Sequence, residues 1–324
     1  MRSSNSGPAV EASVSIDGYG RRFKKLRASI TDTCNFRCLY CGGEAPWPGA
    51  RAAQLSAPEI IAICGGLCNA GIEEIRLTGG EPTLRSDLPA VITGLSGLPL
   101  RRLGMTTNGM LLKPLLPFLD TTACRHINVS LDSLKPGRFR SITGSRGFDD
   151  VLDAVIRASG MGLHVKLNMV LLRGVNDDEV FDYLDFSARY GIEVRFLELM
   201  RIGPVYERSP ELFISAQEVI DRIRQSLHLI PELREKDSTS FNFRTDSGSR
   251  IGFIASESRP FCGACTRLRL TSRGTLRACL MDDFEISIRG LDAAEYPEVL
   301  RRSLGLKPAC GMARIRQSMC SIGG

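Results

Sequence analysis

The sequence predicts an α/β protein, an incomplete (βα)6 TIM-like barrel with a smaller C-terminal α+β layer. Three observations point there. Short apolar, β-branched runs alternate six times with longer amphipathic stretches, the order expected of parallel strands joined by crossover helices. Six repeats fall short of the eight that close a barrel, so the barrel is open. Beyond residue 230 the alternation gives way to polar, strand-like pieces, SFNFRTDSGSRIGFI and RLRLTSRGTLRACL, read as a layer packed across the open side.

Residues 1–20 read as a disordered leader rich in Ser, Gly and Ala, without the apolar centre of a signal peptide. The barrel is expected over 21–230 and the C-terminal part over 231–324. The strands are LRASIT (26–31), IEEIRLT (72–78), LRRLGMTTN (100–108), HINVSLD (126–132), LHVKLNMVLL (163–172) and IEVRFLELM (192–200). Helical stretches are expected near 57–69, 86–96, 110–119, 147–161, 177–190 and 216–228. In such barrels ligands bind where strands end and βα loops begin. The chemistry-bearing motifs fall there. A cysteine trio follows strand one, and Gly79-Gly80-Glu81-Pro82 follows strand two. Thr106-Thr107-Asn108-Gly109 follows strand three, and Ser130 and Asp132 close strand four.

The chain is 43% hydrophobic and 24% charged, ordinary for a globular protein, and no apolar run approaches the length of a membrane span. A net charge of +6 is mild and suits an anionic small substrate as well as weak nucleic-acid contact. No Lys/Arg run with interleaved aromatics marks a nucleic-acid groove. Eleven cysteines in a chain expected to be cytoplasmic point to metal or redox chemistry rather than disulfides. Cys64, Cys68 and Cys124 read as small hydrophobes of the core. The three histidines, His126, His164 and His228, are scattered and read as ordinary core or surface residues.

The stretch TDTCNFRCLYCGG gathers Cys34, Cys38 and Cys41. Soft thiolates at short spacing suit zinc, with a fourth ligand from elsewhere, or an iron–sulfur cluster with one open iron. The Cys-x3-Cys-x2-Cys pattern, with Tyr40 before the last cysteine, resembles the signature of the radical SAM superfamily. That resemblance implies a [4Fe-4S] cluster whose open iron binds S-adenosylmethionine, and a 5′-deoxyadenosyl radical that abstracts hydrogen from the substrate. It also implies that Gly80 and Glu81 belong to the loop receiving the methionine group. Thr106 and Ser130 would contact the methionine and ribose portions, and Met200 would lie beside the adenine.

A second trio, Cys262, Cys265 and Cys279, again has no obvious fourth member, although Cys310 and Cys320 could complete a zinc site. Arg267 and Arg269 lie between its members. Two apart on a strand, they would face one side as an anion clamp. Together TDTCNFRCLYC, RLTGGEPTLR, TTNG, INVSLDSL, RFRSITG, FCGACTRLRLT and the terminal SIGG make the whole chain beyond the leader resemble the GTP 3′,8-cyclase family, which opens molybdenum cofactor (molybdopterin) biosynthesis. The resemblance implies a second [4Fe-4S] cluster that holds the guanine of GTP. It puts Arg27, Arg76, Lys166, Arg195, Arg267 and Arg269 at the nucleotide and its triphosphate. It puts the terminal Gly323-Gly324 inside the active site, where they take part in catalysis with Arg267 and Arg269. The implied lyase-class reaction forms (8S)-3′,8-cyclo-7,8-dihydroguanosine 5′-triphosphate by hydrogen abstraction at C3′ and ring closure onto C8. Implied partners are an electron donor and a downstream cyclic pyranopterin synthase. A homodimer is compatible with the sequence, and neither membrane nor nucleic acid is expected.

The chain departs from the family pattern at a few positions. Gly42-Gly43 replace Met-Pro, Glu74 replaces a basic residue near the triphosphate, Arg201 replaces Pro and Arg273 replaces Asp. The segment after Cys279 is short. Arg201 could supply the charge lost at position 74. Two alternatives therefore stand beside the leading one: a related radical SAM enzyme acting on another nucleotide, and a zinc-binding protein without catalysis.

Overall fold

All six expected barrel strands form: β1 (Lys25–Ser29), β2 (Glu74–Thr78), β3 (Arg102–Thr107), β4 (His126–Ser130), β5 (His164–Leu171) and β6 (Glu193–Glu198). Each pairs in parallel with the next. The computed structural model describes residues 16–41, 54–234 and 237–309. Gly42, Gly43, Cys310, Cys320, Gly323, Gly324 and residues 1–15 of the expected leader lie outside the described residues.

The connecting helices are α1 (Ala57–Asn69), α2 (Leu88–Ser96), α3 (Leu116–Asp120), α4 (Pro136–Thr143), α5 (Phe148–Gly160), α6 (Val180–Tyr190), α7 (Ser209–Leu212) and α8 (Ala216–Arg224); α9 (Tyr296–Gly305) comes near the end. Local chemistry explains their limits. Ser56 and Glu59 form a reciprocal capping box that starts α1, with Pro58 in its first turn. Ile60, Ile63, Cys64 and Leu67 then recur at helical spacing and are buried. The stretch expected as a helix over 110–119 is instead a short 3-10 turn followed by the five residues of α3, because Pro114 and Pro117 interrupt it.

Along the barrel strands polar and apolar residues alternate, and the two faces have different fates. Leu26, Ala28, Ile75, Leu77, Ile127, Val129, Leu167, Met169, Val194 and Phe196 are buried in one continuous core with the helices. Arg27, Arg76, Asn128, Lys166 and Arg195 occupy the alternate positions and line a cavity. The apolar core is therefore outside the barrel wall, and the lumen is polar. Cys64 and Cys124 are fully buried and Cys68 packs against the core, as read from the sequence.

The C-terminal strands are β7 (Leu229–Pro231), β8 (Phe241–Thr245), β9 (Arg250–Ile254), β10 (Arg267–Leu270), β11 (Thr275–Arg277) and β12 (Glu285–Ser287). They do not form a layer across the open side. They extend the same sheet from both edges, in the order β12-β11-β10-β1-β2-β3-β4-β5-β6-β9-β8-β7. β10 runs parallel to β1, with Arg269 opposite Arg27, and β9 runs parallel to β6. A division at residue 230 would thus cut a continuous sheet. Arg250 and Arg267, from opposite ends of it, line the same cavity, so the sheet curls into an open barrel.

The expected leader also ends earlier than residue 20. Ile16 bridges to Arg22, and Asp17 accepts a 2.6 Å hydrogen bond from Arg21, both residues being buried. Among the described residues no helix is long and apolar enough to cross a membrane.

Candidate active site

The first trio lies in the loop that leaves β1, at the C-terminal rim. Cys34 is exposed, and Cys38 and Cys41 are half-buried. This loop is held from three directions. The backbone N–H of Gly80 donates to Thr31 O at 2.7 Å and that of Glu81 to Thr33 O at 2.8 Å. Both glycines are demanded by this approach: a Cβ at Gly79 would sit 2.3 Å from Thr31 O, and one at Gly80 would sit 2.2 Å from Thr33 O. Gly79 also has φ +148, which favours glycine. From the loop after β4, Asp132 accepts the Tyr40 hydroxyl at 2.6 Å. From the loop after β3, Asn108 Nδ2 donates to Asn35 Oδ1 at 2.7 Å and lies 4.0 Å from Cys34 Sγ.

The Glu81 carboxylate is also a tie between loops. It is 1% exposed. One oxygen accepts from both Thr83 groups, N at 3.1 Å and Oγ1 at 2.6 Å, and from Thr107 Oγ1 at 2.6 Å. The other accepts from Asn108 N at 2.6 Å. The carboxylate fastens two βα loops together. Burial raises its pKa, and these hydrogen bonds oppose the rise. Thr106 and Ser130 are half-buried at the ends of their strands.

Below this rim lies the polar cavity, about 590 Å³, lined by Arg27, Arg76, Lys166, Arg195 and Arg267. Its crowding is electrostatically costly. Arg27 is held well below the usual arginine range by burial and by Arg269, Arg267 and Arg76. Arg76 falls to about 10 through burial and Arg195. Arg269 falls to about 10 through burial and Arg267. Such a constellation is relieved by a polyanion. Glu193, which sequence reasoning missed, accepts from Lys166 Nζ at 2.6 Å and from Arg195 Nε at 2.7 Å. Its position two residues before Arg195 on one strand face was the available signal.

Glu74 also lines this cavity, but not as a bare negative charge. It accepts from Arg101, with Arg102 at 3.7 Å and Lys25 at 4.0 Å. Arg201 does not replace a charge there; it pairs with Glu257 at 3.3 Å on an exposed side chain. Arg273 lies 3.8 Å from Asp32. His126 and His164 are not scattered: their rings stack at 4.6 Å in the cavity wall. Burial, followed by Arg102, pulls His126 down to about 4. His228 is exposed, as expected.

A second cavity, about 200 Å³, adjoins the first and shares Arg27, Arg267 and Thr239 with it. Cys262, Cys265 and Cys279 all line it, with Arg269 and Met200. Met200 thus sits with the second trio, packed near Ile202, Leu280 and Met281. The side-by-side placement of Arg267 and Arg269 predicted from their spacing is observed. Arg267 lies 3.4 Å from Cys265 Sγ and stacks 4.9 Å above the Phe261 ring. Two cations escaped the sequence reading. Arg21 donates to Cys262 O at 2.9 Å, and Lys307 donates to Arg267 O at 2.9 Å.

The two trios differ in electrostatics. Burial is the largest influence on Cys265 and pushes it up, but Arg267 and Lys307 outweigh it and the thiol falls to about 6. Cys38 is pushed up by burial, Asp132 and Cys34. Among the described residues no three His, Cys, Asp or Glu side chains are gathered around a single-ion position. The second trio fits an iron–sulfur group in its chemistry: three thiols open onto one cavity, beside cations that offset thiolate charge.

Residues 28–187 match the Radical SAM superfamily, and residues 192–307 match Molybdenum Cofactor Synthesis C. The chain is 42% identical over 309 residues to a GTP 3′,8-cyclase of Synechocystis sp., spanning 95% of this chain and 94% of that one. The chain belongs to the GTP 3′,8-cyclase family. A GTP 3′,8-cyclase of Stenotrophomonas maltophilia is 37% identical over 95% of this chain and 98% of its own. Molybdenum cofactor biosynthesis protein 1 of Mus musculus is 37% identical over 89% of this chain, which spans 46% of that longer protein. The crystal structure of Streptococcus suis SuiB bound to S-adenosylmethionine shares the fold, with a TM-score of 0.63 at 15% identity over 88% of this chain and 68% of that one. This GTP 3′,8-cyclase family member is a radical SAM enzyme, and its cofactors are S-adenosylmethionine and [4Fe-4S] iron–sulfur chemistry. The reading as a non-catalytic zinc protein is set aside.

Proposed function

We propose that this enzyme cyclises GTP to (8S)-3′,8-cyclo-7,8-dihydroguanosine 5′-triphosphate in the cytoplasm, the first step of molybdenum cofactor biosynthesis. The observation that carries this reading is the joining of the two cavities through Arg27 and Arg267. A nucleotide laid across them has its triphosphate among Arg76, Lys166 and Arg195 and its base beside Cys262, Cys265 and Cys279. Cys34, Cys38 and Cys41 would hold the first cluster, and the second trio the other. When bound, the first cluster and S-adenosylmethionine supply the 5′-deoxyadenosyl radical that removes hydrogen from C3′.

The protein's own task is placement. Tyr40, Gly80 and Glu81 fix the first cysteine loop against its neighbours. Thr106 and Ser130, at the ends of β3 and β4, would contact the methionine and ribose groups, and Met200, beside the second trio, would meet the adenine. Arg267 and Arg269 orient the nucleotide and steady charge as the ring closes on C8. The lumen cations bind the triphosphate by charge-assisted hydrogen bonds. Gly323 and Gly324 complete the proposal from outside the described residues. The one-electron chemistry requires an external electron donor, and the product passes to cyclic pyranopterin synthase.

The test is anaerobic incubation of the reconstituted protein with S-adenosylmethionine, a strong reductant and GTP. Mass spectrometry should detect 5′-deoxyadenosine and a cyclised isomer of GTP. Deoxyadenosine without that isomer would move the substrate to another nucleotide.

A further inference from the structure

We propose that Glu193 is a positioning residue that holds Lys166 and Arg195 as a paired, charged clamp for the substrate's triphosphate. The inference rests on the lumen being the triphosphate site. Glu193 opens β6 and is 4% exposed, yet it faces a cavity crowded with cations. Each oxygen takes a different partner, Lys166 Nζ at 2.6 Å and Arg195 Nε at 2.7 Å. Sheet register enforces this: Lys166 lies directly opposite Glu193, and Arg195 follows two residues later on the same face. Arg250, across the β6–β9 pair, approaches the carboxylate at 3.9 Å.

The mode of contact matters. Glu193 uses the Nε edge of Arg195, and among the described residues the terminal guanidinium nitrogens make no hydrogen bond. Lys166 donates one of its three N–H groups to Glu193. Both cations are therefore braced by the carboxylate while keeping donors for an anion. Without that brace they would repel each other across the pair. Lys166 is already lowered by burial first and by Arg195 second, with Glu193 working the other way. The groups that act on it are Glu193 and Arg195 on β6 and Arg250 on β9; His126, on β4, also interacts with it. Its strand partner on β4 is the neutral Asn128.

The test is equilibrium binding of GTP to the anaerobically purified full chain across pH 6 to 9. It compares wild type with Glu193→Gln, Glu193→Asp, Lys166→Met and the Glu193→Gln/Lys166→Met pair. Expected is a roughly tenfold weaker affinity for Glu193→Gln, the size of one lost charge-assisted contact. The alkaline limb of its binding curve should move to lower pH, and Glu193→Asp should restore part of the affinity. In the Lys166→Met background the Glu193→Gln change should cost markedly less, since half of the clamp is already gone. Unchanged or tighter GTP binding by Glu193→Gln would overturn the proposal, as would a parallel loss that ignores pH and adds fully to Lys166→Met. If wild type itself binds no GTP, the lumen assignment fails instead. Should Glu193→Gln not fold, the pH limb of Glu193→Asp against wild type decides.

Discussion

Replacing Gly80 by alanine tests how the cofactor rim is built. The new Cβ would lie 2.2 Å from Thr33 O, where ordinary contact begins at 3.4 Å. The obstacle is backbone, so no side chain can swing aside. The two loops must separate by about 1 Å, which breaks the hydrogen bonds from Gly80 N to Thr31 O and from Glu81 N to Thr33 O. Two such bonds contribute about 1 kcal/mol each, and the residual overpacking adds about 1–3 kcal/mol. A total of about 3–5 kcal/mol should lower Tm by roughly 4–7 °C. Because the displaced strand of chain leads into Cys34, S-adenosylmethionine affinity should fall by more than about tenfold. Thermal unfolding and anaerobic equilibrium binding read both effects. Gly137→Ala, with nothing within 4 Å of its Cβ, is the control. Wild-type Tm and affinity in Gly80→Ala would refute the close-approach argument.

Three further outcomes follow from the same geometry. Cys279→Ser should lower bound iron by about half and abolish the cyclised product while leaving reductive cleavage of S-adenosylmethionine; unchanged iron content would remove Cys279 from the ligand set. Glu74→Gln should change KM for GTP by less than about threefold, since three cations already compensate this acid; a tenfold fall would mean that Glu74 repels the triphosphate. Burial raises the Asp132 carboxyl from 3.8 to about 6, so its ionised form opposes folding above pH 6 and ceases to do so below its unfolded value. Asp132→Asn should therefore gain on wild type by roughly 1–2 kcal/mol between pH 5 and pH 8 in denaturant unfolding. Parallel pH curves would contradict that.

The barrel was legible because its strands are local events: runs of five to eight residues that alternate apolar and polar, each followed by an apolar helix face. α4 was not, because its eight residues, PGRFRSIT, bury only Phe139, Ile142 and Thr143, a single i, i+3, i+4 turn, too short a pattern to mark a helix. The joining of β10 to β1 could not be read either, since parallel pairing leaves no mark on sequences so far apart. That pairing sets Arg269 beside Arg27, and Arg21 and Lys307 line the second cavity with them. Cysteine spacing identified both trios. The tie that Glu81 makes between loops was not legible, because its partners Thr107 and Asn108 come from the next loop.

The two sheet edges also set a timetable. β6 receives β9 about 55 residues after it leaves the ribosome, but β1 receives β10 only about 240 residues later. At roughly 5–20 residues per second, β1 carries an unpaired parallel edge for about 12–50 seconds. An open edge of backbone donors and acceptors invites pairing with other chains. The first cysteine loop hangs from that same strand, so it emerges long before its edge is covered. The second trio brackets β10 and arrives with the strand that closes it. Nascent chains stalled before residue 267 should therefore be the aggregation-prone species, and slow translation should lengthen the time this chain depends on chaperones.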